Sequence, residues 1–148
     1  MDEAALRRLL DEVRAGETSP DDAVSAIRQL PYADLGFARV DHHRQLRQGM
    51  AETVYGPGKD PDHVARIVAE LLERSDQAPV MLTRASPDQV RAALWANPTG
   101  VDHRGTVVWR PAPDRGRKVV LLAAGTADLP VADECATVLG AQGLSLIH

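Results

Sequence analysis

The sequence predicts an α/β protein, because stretches with helical spacing of apolar residues alternate with short β-branched stretches. Three of the helical stretches begin with the same device, which is Ser19-Pro20-Asp21, Asp60-Pro61-Asp62 and Ser86-Pro87-Asp88. A capping side chain, a proline at the first helical position and a carboxylate near the exposed N–H groups all favour a helix start. These starts divide the chain into helices with strands between them.

Four helices are predicted before residue 100. In the first three, apolar residues recur at helical spacing, as on one buried helix face. In chain order these residues are Leu6, Leu9, Leu10 and Val13, then Val24 and Ile27, and then Val64, Ile67, Val68, Leu71 and Leu72. The first helix is expected to end at Gly16 and the second near Pro31. The fourth begins with a capping-box spacing from Ser86 to Gln89.

Four short strands are predicted between these helices, at residues 37–40, 53–55, 79–83 and 106–109. Residues 1–110 are therefore expected to form a small N-terminal α/β domain led by two helices. Trp95 and Trp109 are interpreted as core or interface anchors of this domain.

A second domain is predicted to begin after a linker at residues 111–117, which is polar and rich in proline and glycine. Residues 119–124 are a continuous apolar run, typical of a strand that a parallel sheet buries on both faces. A glycine turn and a helix over residues 129–140 follow. Residues 118–143 thus predict the first βα unit of another α/β domain.

Composition excludes several classes of protein. The 148 residues include 17 Lys and Arg against 21 Asp and Glu, for a net charge of −4, which argues against a broad basic face for nucleic acid or anionic membrane. One cysteine excludes an internal disulfide and a cysteine-only zinc site. The chain shows no signal-peptide pattern and no apolar run of membrane-spanning length. We therefore expect a soluble, cytoplasmic protein whose partners are neither nucleic acid nor membrane.

The turn formed by Gly125, Thr126 and Asp128 is the first candidate site. It follows the carboxyl end of a predicted parallel strand, where open α/β sheets bind ligands. Gly125 permits close backbone approach, and the Thr126 hydroxyl and the helix N-terminus attract an anion. Asp128 would repel that anion, so it is expected to bond ribose hydroxyls or to cap the helix. From the residues alone, a ligand site and a plain capped turn both remain open.

Other polar clusters have structural explanations beside functional ones. Arg44 and Arg47 are three residues apart and would form a secondary phosphate clamp on a helix, but a solvated pair or an interdomain salt bridge is the preferred explanation. Adjacent His42 and His43 would point to opposite faces of a strand, so no metal site is predicted.

Two further segments are assigned no chemistry. Residues 56–59 lack the spacing of a phosphate-binding loop and predict a turn. Residues 102–104, with His103 and Arg104, are placed in a loop on which no other candidate converges.

Several segments together resemble one family. Residues 120–136, VLLAAGTADLPVADECA, resemble the opening βα unit of PurE-like domains, which are of the aminoimidazole ribonucleotide carboxylase type. The match is closer to the LarB family of nickel-pincer cofactor biosynthesis. Its N-terminal signature is similar to three segments in the same order: DLGFARVDHHRQLRQG at residues 34–49, YGPGKDP at 55–61 and LTRASP at 82–87. The resemblance extends over nearly the whole chain, to Gly143.

The resemblance implies an enzyme that acts on a small dinucleotide, nicotinate adenine dinucleotide. The family carboxylates its pyridinium ring with carbon dioxide or bicarbonate and hydrolyses its phosphoanhydride, which releases AMP. It implies a PurE-like, flavodoxin-like parallel three-layer domain, a homo-oligomer, and Mg²⁺ or another divalent metal for the full-length enzyme. This chain itself is expected to hold no cofactor.

The resemblance also assigns roles to residues. It places Gly125 and Thr126 near phosphate and Asp128 toward the ribose or the reacting face. Ala127 stands where the family more often has serine, which removes one donor worth about 1 kcal/mol if it bonds the ligand. The family's nucleophilic cysteine lies farther along the domain than Cys135, which is expected to pack in a helix. No catalytic residue is therefore assigned, and the chain alone is predicted to be inactive.

Two other functions remain open at this point. One is the aminoimidazole ribonucleotide carboxylase of purine biosynthesis, and the other is a non-catalytic oligomerisation or regulatory module. Residues 144–148 depart from the family pattern and resemble a translated sequencing adapter. We therefore expect a non-native tail there, after a catalytic domain of which this chain holds only the opening.

Overall fold

Helices and strands alternate along the computed structural model, which describes residues 3–28, 32–41, 50, 52–74 and 78–147. In chain order the elements are α1 (Glu3–Ala15), α2 (Pro20–Arg28), β1 (Tyr32–Asp34), β2 (Arg39–Asp41), β3 (Thr53–Tyr55), α3 (Pro61–Arg74), β4 (Val80–Thr83), α4 (Pro87–Ala96), β5 (Val101–His103), β6 (Thr106–Trp109), β7 (Arg117–Val120), a 3₁₀ turn (Thr126–Asp128), α5 (Leu129–Ala141) and β8 (Leu144–Ile147). The predicted α/β class is confirmed.

The main sheet has four strands in the order β3-β4-β6-β5. Strands β3 and β4 are parallel, and α3 connects them. Strand β6 pairs antiparallel with both β4 and β5. The carboxyl ends of β3 and β4 therefore lie at the same edge of the sheet.

Helices cover both faces of this sheet. Side chains alternate along a strand, so Val80, Leu82 and Trp109 face one way, where they pack with residues of α3 and α4. Met81 and Val108 face the other way and pack with Ala141 of α5. Strands β4 and β6 are consequently buried along their whole length.

Trp109 is the largest side chain that is fully buried in the described residues, which confirms its predicted place in the core. Its Nε1–H donates to the carbonyl oxygen of Asn97 at 2.8 Å. A Cβ at Gly100 would lie 2.5 Å from the indole, so glycine is needed there for the ring to fit. Trp95, in contrast, is 91% exposed and is not a core residue.

Two sheet segments differ from the sequence prediction. The segment predicted as one strand at 37–40 is the end of an antiparallel hairpin, in which β1 pairs with β2 around a turn whose Leu35 N–H donates to Ala38. Asp102 and His103, which belong to the loop predicted at residues 102–104, instead lie in the edge strand β5. Every residue of β5 is exposed, so it lacks the apolar alternation that reveals a half-buried strand.

Strands β7 and β8 form a separate two-stranded parallel sheet, and α5 connects them. The strand predicted at 119–124 and buried on both faces instead spans Arg117–Val120 and is largely exposed. A single partner strand and one helix are too few to cover it. Leu144–Ile147, for which no strand was predicted, pairs with β7 along its full length.

Gln89 fastens α4 to the loop that follows β3. Its side chain is buried, and its Nε2 donates to the carbonyl oxygens of Gly56 and Lys59 at 2.8 and 2.7 Å. Its Oε1 accepts from Ser86 N–H at 2.9 Å, while the Ser86 hydroxyl accepts from Gln89 N–H, so the predicted capping box is confirmed. The residues 56–59 form the predicted turn rather than a phosphate-binding loop.

None of the helices in the described part of the chain has the length and apolar character needed to cross a bilayer.

The buried amide of Gln89 yields a stability prediction. We expect Gln89→Ala to lower the free energy of unfolding by about 2 kcal/mol, because Lys59 O and Ser86 N–H lose a buried partner. Urea denaturation followed by circular dichroism measures this change. The control is Arg91→Gln on the exposed side of the same helix, expected to change stability by less than about 0.5 kcal/mol. Equal effects of the two substitutions would contradict the assignment.

The exposed apolar surface of the β7–α5–β8 unit yields a second prediction. Leu122 is 88% exposed and Val131 is 59% exposed. Because contiguous exposed apolar surface and open sheet edges favour association, we expect the chain to aggregate with rising concentration. The double substitution Leu122→Glu and Val131→Glu should shift gel-filtration elution toward the monomer. Val24→Glu, at a valine of α2 that is 52% exposed, is the control. A monodisperse wild-type monomer at high concentration would contradict the prediction.

Candidate functional site

The candidate site lies at the edge of the main sheet where β3 and β4 end. Tyr55 closes β3, and Arg84 follows the last residue of β4. Open α/β sheets bind ligands outside the carboxyl ends of parallel strands, where loops and helix N-termini converge. Here the 3₁₀ turn and the first turns of α5 lie opposite this edge, so two structural units form the walls of one cleft.

The cleft has a volume of about 400 Å³. One wall comes from the main sheet and the other from the segment that opens α5. The lining residues are Arg84, His103, Arg104 and Thr106 on the first wall, and Thr126, Leu129, Pro130, Val131, Asp133 and Glu134 on the second. Two arginines and one histidine on the first wall therefore lie opposite a threonine and two carboxylates on the second, in a partly apolar groove.

Thr126 is the member of the sequence-predicted turn that the structure brings into this cleft. Gly125 precedes it with a φ of 93°, a conformation that glycine adopts without strain, so the predicted tight turn is present. Gly125 and Asp128 are exposed but are not among the lining residues. The predicted clamp residues Arg44 and Arg47 lie outside the residues that the structure describes.

Arg84 joins the two walls. Its Nε lies 3.2 Å from both carboxylate oxygens of Glu134. Its guanidinium carbon also lies 5.9 Å from the centre of the Tyr55 ring, within cation–π range. The hydrogen bond to Glu134, and then the negative charge of that carboxylate, raise the pKa of Arg84 above its ordinary value. Arg84 is therefore a fixed positive charge in the cleft.

Arg104 projects from the two-residue turn between β5 and β6. Arg104 and Gly105 have φ angles of 55° and 89°, as a type I′ hairpin turn requires. Its Nη1 lies 2.9 Å from Oδ2 of Asp133. The Asp102 carboxylate accepts from Gly105 N–H at 2.8 Å and stabilises this turn.

A close backbone contact keeps the two arginines at the same end of the sheet. Ala85 N–H donates to the carbonyl oxygen of Gly105 at 2.9 Å. A Cβ at Gly105 would lie only 2.9 Å from the carbonyl oxygen of Ala85, so the approach requires glycine. The hairpin that carries Arg104 is thus tied to the segment that carries Arg84.

Arg84 also has left-handed backbone, with a φ of 50°. Among the described residues, every non-glycine residue with positive φ is an arginine, and Arg110 is the third. Such backbone costs about 1 kcal/mol or more per residue and concentrates at functional sites. At Arg104 the positive φ follows from the hairpin turn, so Arg84 is the cleft arginine whose left-handed backbone points to binding rather than to stability alone.

Sequence reasoning missed Arg84, His103 and Arg104 as site residues. Arg84 was read only as part of a family-like segment, and residues 102–104 were read as an isolated loop. One signal was available: Arg104-Gly105 directly precedes the β-branched stretch at Thr106–Trp109, and glycine is common at the second position of a two-residue hairpin turn. A hairpin there would have placed Arg104 beside the end of a neighbouring strand.

The cleft is suited to an anion. Arginine offers a planar set of N–H donors that matches phosphate or carboxylate oxygens, and the Thr126 hydroxyl adds a donor opposite.

Within the described ranges, no three His, Cys, Asp or Glu side chains cluster closely enough to hold a metal ion. Cys135 lies half-buried in α5.

Comparison with known proteins agrees with the resemblance seen in the sequence. A family model described as the LarB/PurE-like N-terminal domain matches residues 32–107, which is half of the chain. The match begins at β1 and ends within β6, so it includes the main sheet, Arg84 and the hairpin with Arg104. An uncharacterized protein of Methanocaldococcus jannaschii is 29% identical over 153 residues, an alignment that covers 96% of this chain and 59% of that protein. The chain thus spans about three-fifths of the length of this curated relative.

The strained turn at Arg104 yields a stability prediction. We expect Arg104→Asn to leave the free energy of unfolding within about 0.5 kcal/mol of wild type or to raise it, because asparagine tolerates left-handed backbone and exposed ion pairs contribute little. Gly105→Ala should instead lower it by more than about 1 kcal/mol, because its Cβ meets Ala85. Urea denaturation of the two variants measures both changes. A large loss of stability in Arg104→Asn would show that the arginine is retained for folding.

Proposed function

Because the chain belongs to the LarB/PurE-like N-terminal domain family, we propose that it provides the substrate-binding cleft of an enzyme acting on nicotinate adenine dinucleotide. In the proposed reaction, a carbon of the pyridinium ring exchanges its proton for a carboxylate from carbon dioxide or bicarbonate. Water then splits the phosphoanhydride and releases AMP. The observation that carries the proposal is the cleft in which Arg84 and Arg104 face Thr126.

Electrostatics supports a dinucleotide of this kind. Its two phosphates make it a net anion, since the positive pyridinium offsets the ring carboxylate, and the chain itself has a net charge of −4. Overall charge therefore repels such a substrate, and a local cluster of cations has to attract it. Arg84 and Arg104 are the arginines of the cleft, beside the apolar side chains of Leu129 and Val131, and each would attract the substrate once its carboxylate partner, Glu134 or Asp133, is displaced.

The turn before α5 is assigned to the mononucleotide half of the substrate. Gly125 and Thr126 would hold its phosphate through N–H groups and the threonine hydroxyl. Asp128 would accept hydrogen bonds from the ribose, since a carboxylate repels phosphate. Thr126 supports this assignment by its place in the cleft lining.

The chemical step is assigned to the whole enzyme rather than to this chain. The family resemblance implies Mg²⁺ or another divalent metal, but the described residues provide no matching ligand cluster, so no step is assigned to a metal here. Cys135, the sole cysteine of the chain, lies half-buried within a helix and is not proposed as the nucleophile. The residues of this chain bind and orient the substrate.

We also propose that the whole enzyme is a homo-oligomer. The β7–α5–β8 unit exposes Val120, Leu122 and Ile147 on its apolar surface. Surfaces of this kind are commonly covered by further strands and helices or by another subunit.

Direct binding tests the substrate assignment. We expect the 148-residue chain to bind nicotinate adenine dinucleotide at least tenfold more tightly than aminoimidazole ribonucleotide, because only the dinucleotide carries a phosphoanhydride for the two arginines. Isothermal titration calorimetry measures both affinities. Tighter binding of aminoimidazole ribonucleotide would favour the purine enzyme, and binding of neither would favour a non-catalytic module.

Turnover provides an independent readout on the same protein. With labelled bicarbonate, Mg²⁺ and the dinucleotide, we expect no labelled product and no AMP, because no catalytic residue is assigned to this chain. Release of AMP or incorporation of label above a protein-free control would contradict that assignment.

A further inference from the structure

We propose that Arg84 and Arg104 are the binding pair for a diphosphate group, and that Glu134 and Asp133 occupy this pair as internal competitors until the diphosphate displaces them. The inference rests on the proposed function, since it names the part of the substrate that the arginines recognise. It also proposes that, without ligand, two carboxylates of α5 occupy the positions that the two phosphates take on binding.

The arrangement of the four side chains carries the argument. Asp133 and Glu134 are adjacent in α5, and both carboxylates line the cleft. Arg104 contacts the first at 2.9 Å and Arg84 contacts the second at 3.2 Å. A diphosphate likewise presents two linked anionic groups, each of which accepts hydrogen bonds from a guanidinium.

The ion pairs do not account for the backbone that supports them. Both arginines have positive φ, a conformation with an energetic cost, yet their side chains are 52% and 87% exposed. Exposed ion pairs stabilise a fold only slightly because water and salt screen them. At Arg104 the hairpin turn accounts for the positive φ, whereas at Arg84 the exposed ion pair contributes less than its backbone costs, as is expected where a side chain is held for a ligand.

The exposure of the pair makes displacement feasible. Glu134 is the more covered carboxylate, with 22% of its side chain exposed, while Asp133 is 54% exposed. A ligand entering the groove reaches the arginines from the solvent side. The carboxylates then return to water, where their charge is well solvated.

Two explanations of the ion pairs predict different effects of substitution: either the carboxylates compete with a ligand for the arginines, or the ion pairs only hold the two walls of the cleft together. If the carboxylates compete with the ligand, neutralising one strengthens anion binding, and removing an arginine weakens it. If the ion pairs only hold the walls together, neutralising a carboxylate damages the cleft as much as removing its arginine does. Whether the carboxylate variants bind the anion more tightly or more weakly than the wild type therefore separates the two explanations.

The experiment titrates the intact 148-residue chain with inorganic pyrophosphate in a calorimeter at low ionic strength. Arg84→Gln and Arg104→Gln are each expected to weaken binding about tenfold, the usual loss for a charge-assisted contact to phosphate. Glu134→Gln and Asp133→Asn are each expected to strengthen it about threefold. The matched control is Arg91→Gln, which removes an exposed arginine paired with Asp88 outside the cleft and should leave binding unchanged.

Three outcomes would overturn the proposal: no pyrophosphate binding by the wild type, weaker binding in the carboxylate variants, or an equal loss in Arg91→Gln and the cleft arginine variants. If thermal denaturation shows that an arginine variant does not fold, the affinities of the two carboxylate variants test the proposal without it.

Titration of the wild type and of the two arginine variants with nicotinate adenine dinucleotide separates this proposal from the proposed function. Dinucleotide binding that is insensitive to the arginine variants overturns the diphosphate pair and leaves the substrate assignment standing. The expected pyrophosphate pattern without dinucleotide binding supports the pair and overturns the substrate assignment.

Discussion

Strands β4 and β6 have no face toward solvent, and the rest of the structure is arranged around this double burial. Val80, Leu82 and Trp109 require a cover from α3 and α4, while Met81 and Val108 require one from α5. A register shift of one residue would exchange the two sets and leave both covers mismatched. Because the register is fixed, the ends of both strands are fixed as well. Arg84 and Thr106 therefore stand at defined positions beside α5.

The cleft is a consequence of the same packing. Strand β4 ends at the edge where Arg84 begins, and β6 begins at the hairpin that carries Arg104. Helix α5 reaches this edge because Ala141 at its other end packs on Met81 and Val108. A core contact at one end of the helix thus places carboxylates and a threonine opposite two arginines at the other. Neither unit contains the site alone.

Much of the main domain was predictable because its signals are local. Proline-started helices, the capping box of Gln89 and the apolar strands β3, β4 and β6 all follow from neighbouring residues. Strand β5 was not predictable from its own residues, because an exposed edge strand satisfies no hydrophobic pattern. The exposure of β7 was not predicted, because its apolar residues indicate a strand that is buried on both faces, whereas the strand is largely exposed.

The candidate site was predictable only on one side. Thr126 follows a strand–glycine–helix pattern that local reasoning detects. Arg84 and Arg104 are 20 positions apart in the chain and meet through a hairpin and a backbone hydrogen bond from Ala85 to Gly105. Such long-range contacts leave little trace in a single sequence. Positive φ at an arginine leaves none, because residue type alone favours other conformations there.

The bond between Ala85 and Gly105 also determines how the cleft can move. It joins the β5–β6 hairpin to the end of β4, so both arginines travel as one rigid body with the sheet. Shear of α5 across Met81 and Val108 would then strain the 2.8 Å hydrogen bond from Ala112 N–H to the carbonyl oxygen of Ala141, which holds the same end of the helix. Sliding of packed helices belongs to the microsecond-to-millisecond range. The rate at which a ligand enters would accordingly depend on the contacts that hold α5 at the end of the helix away from the cleft.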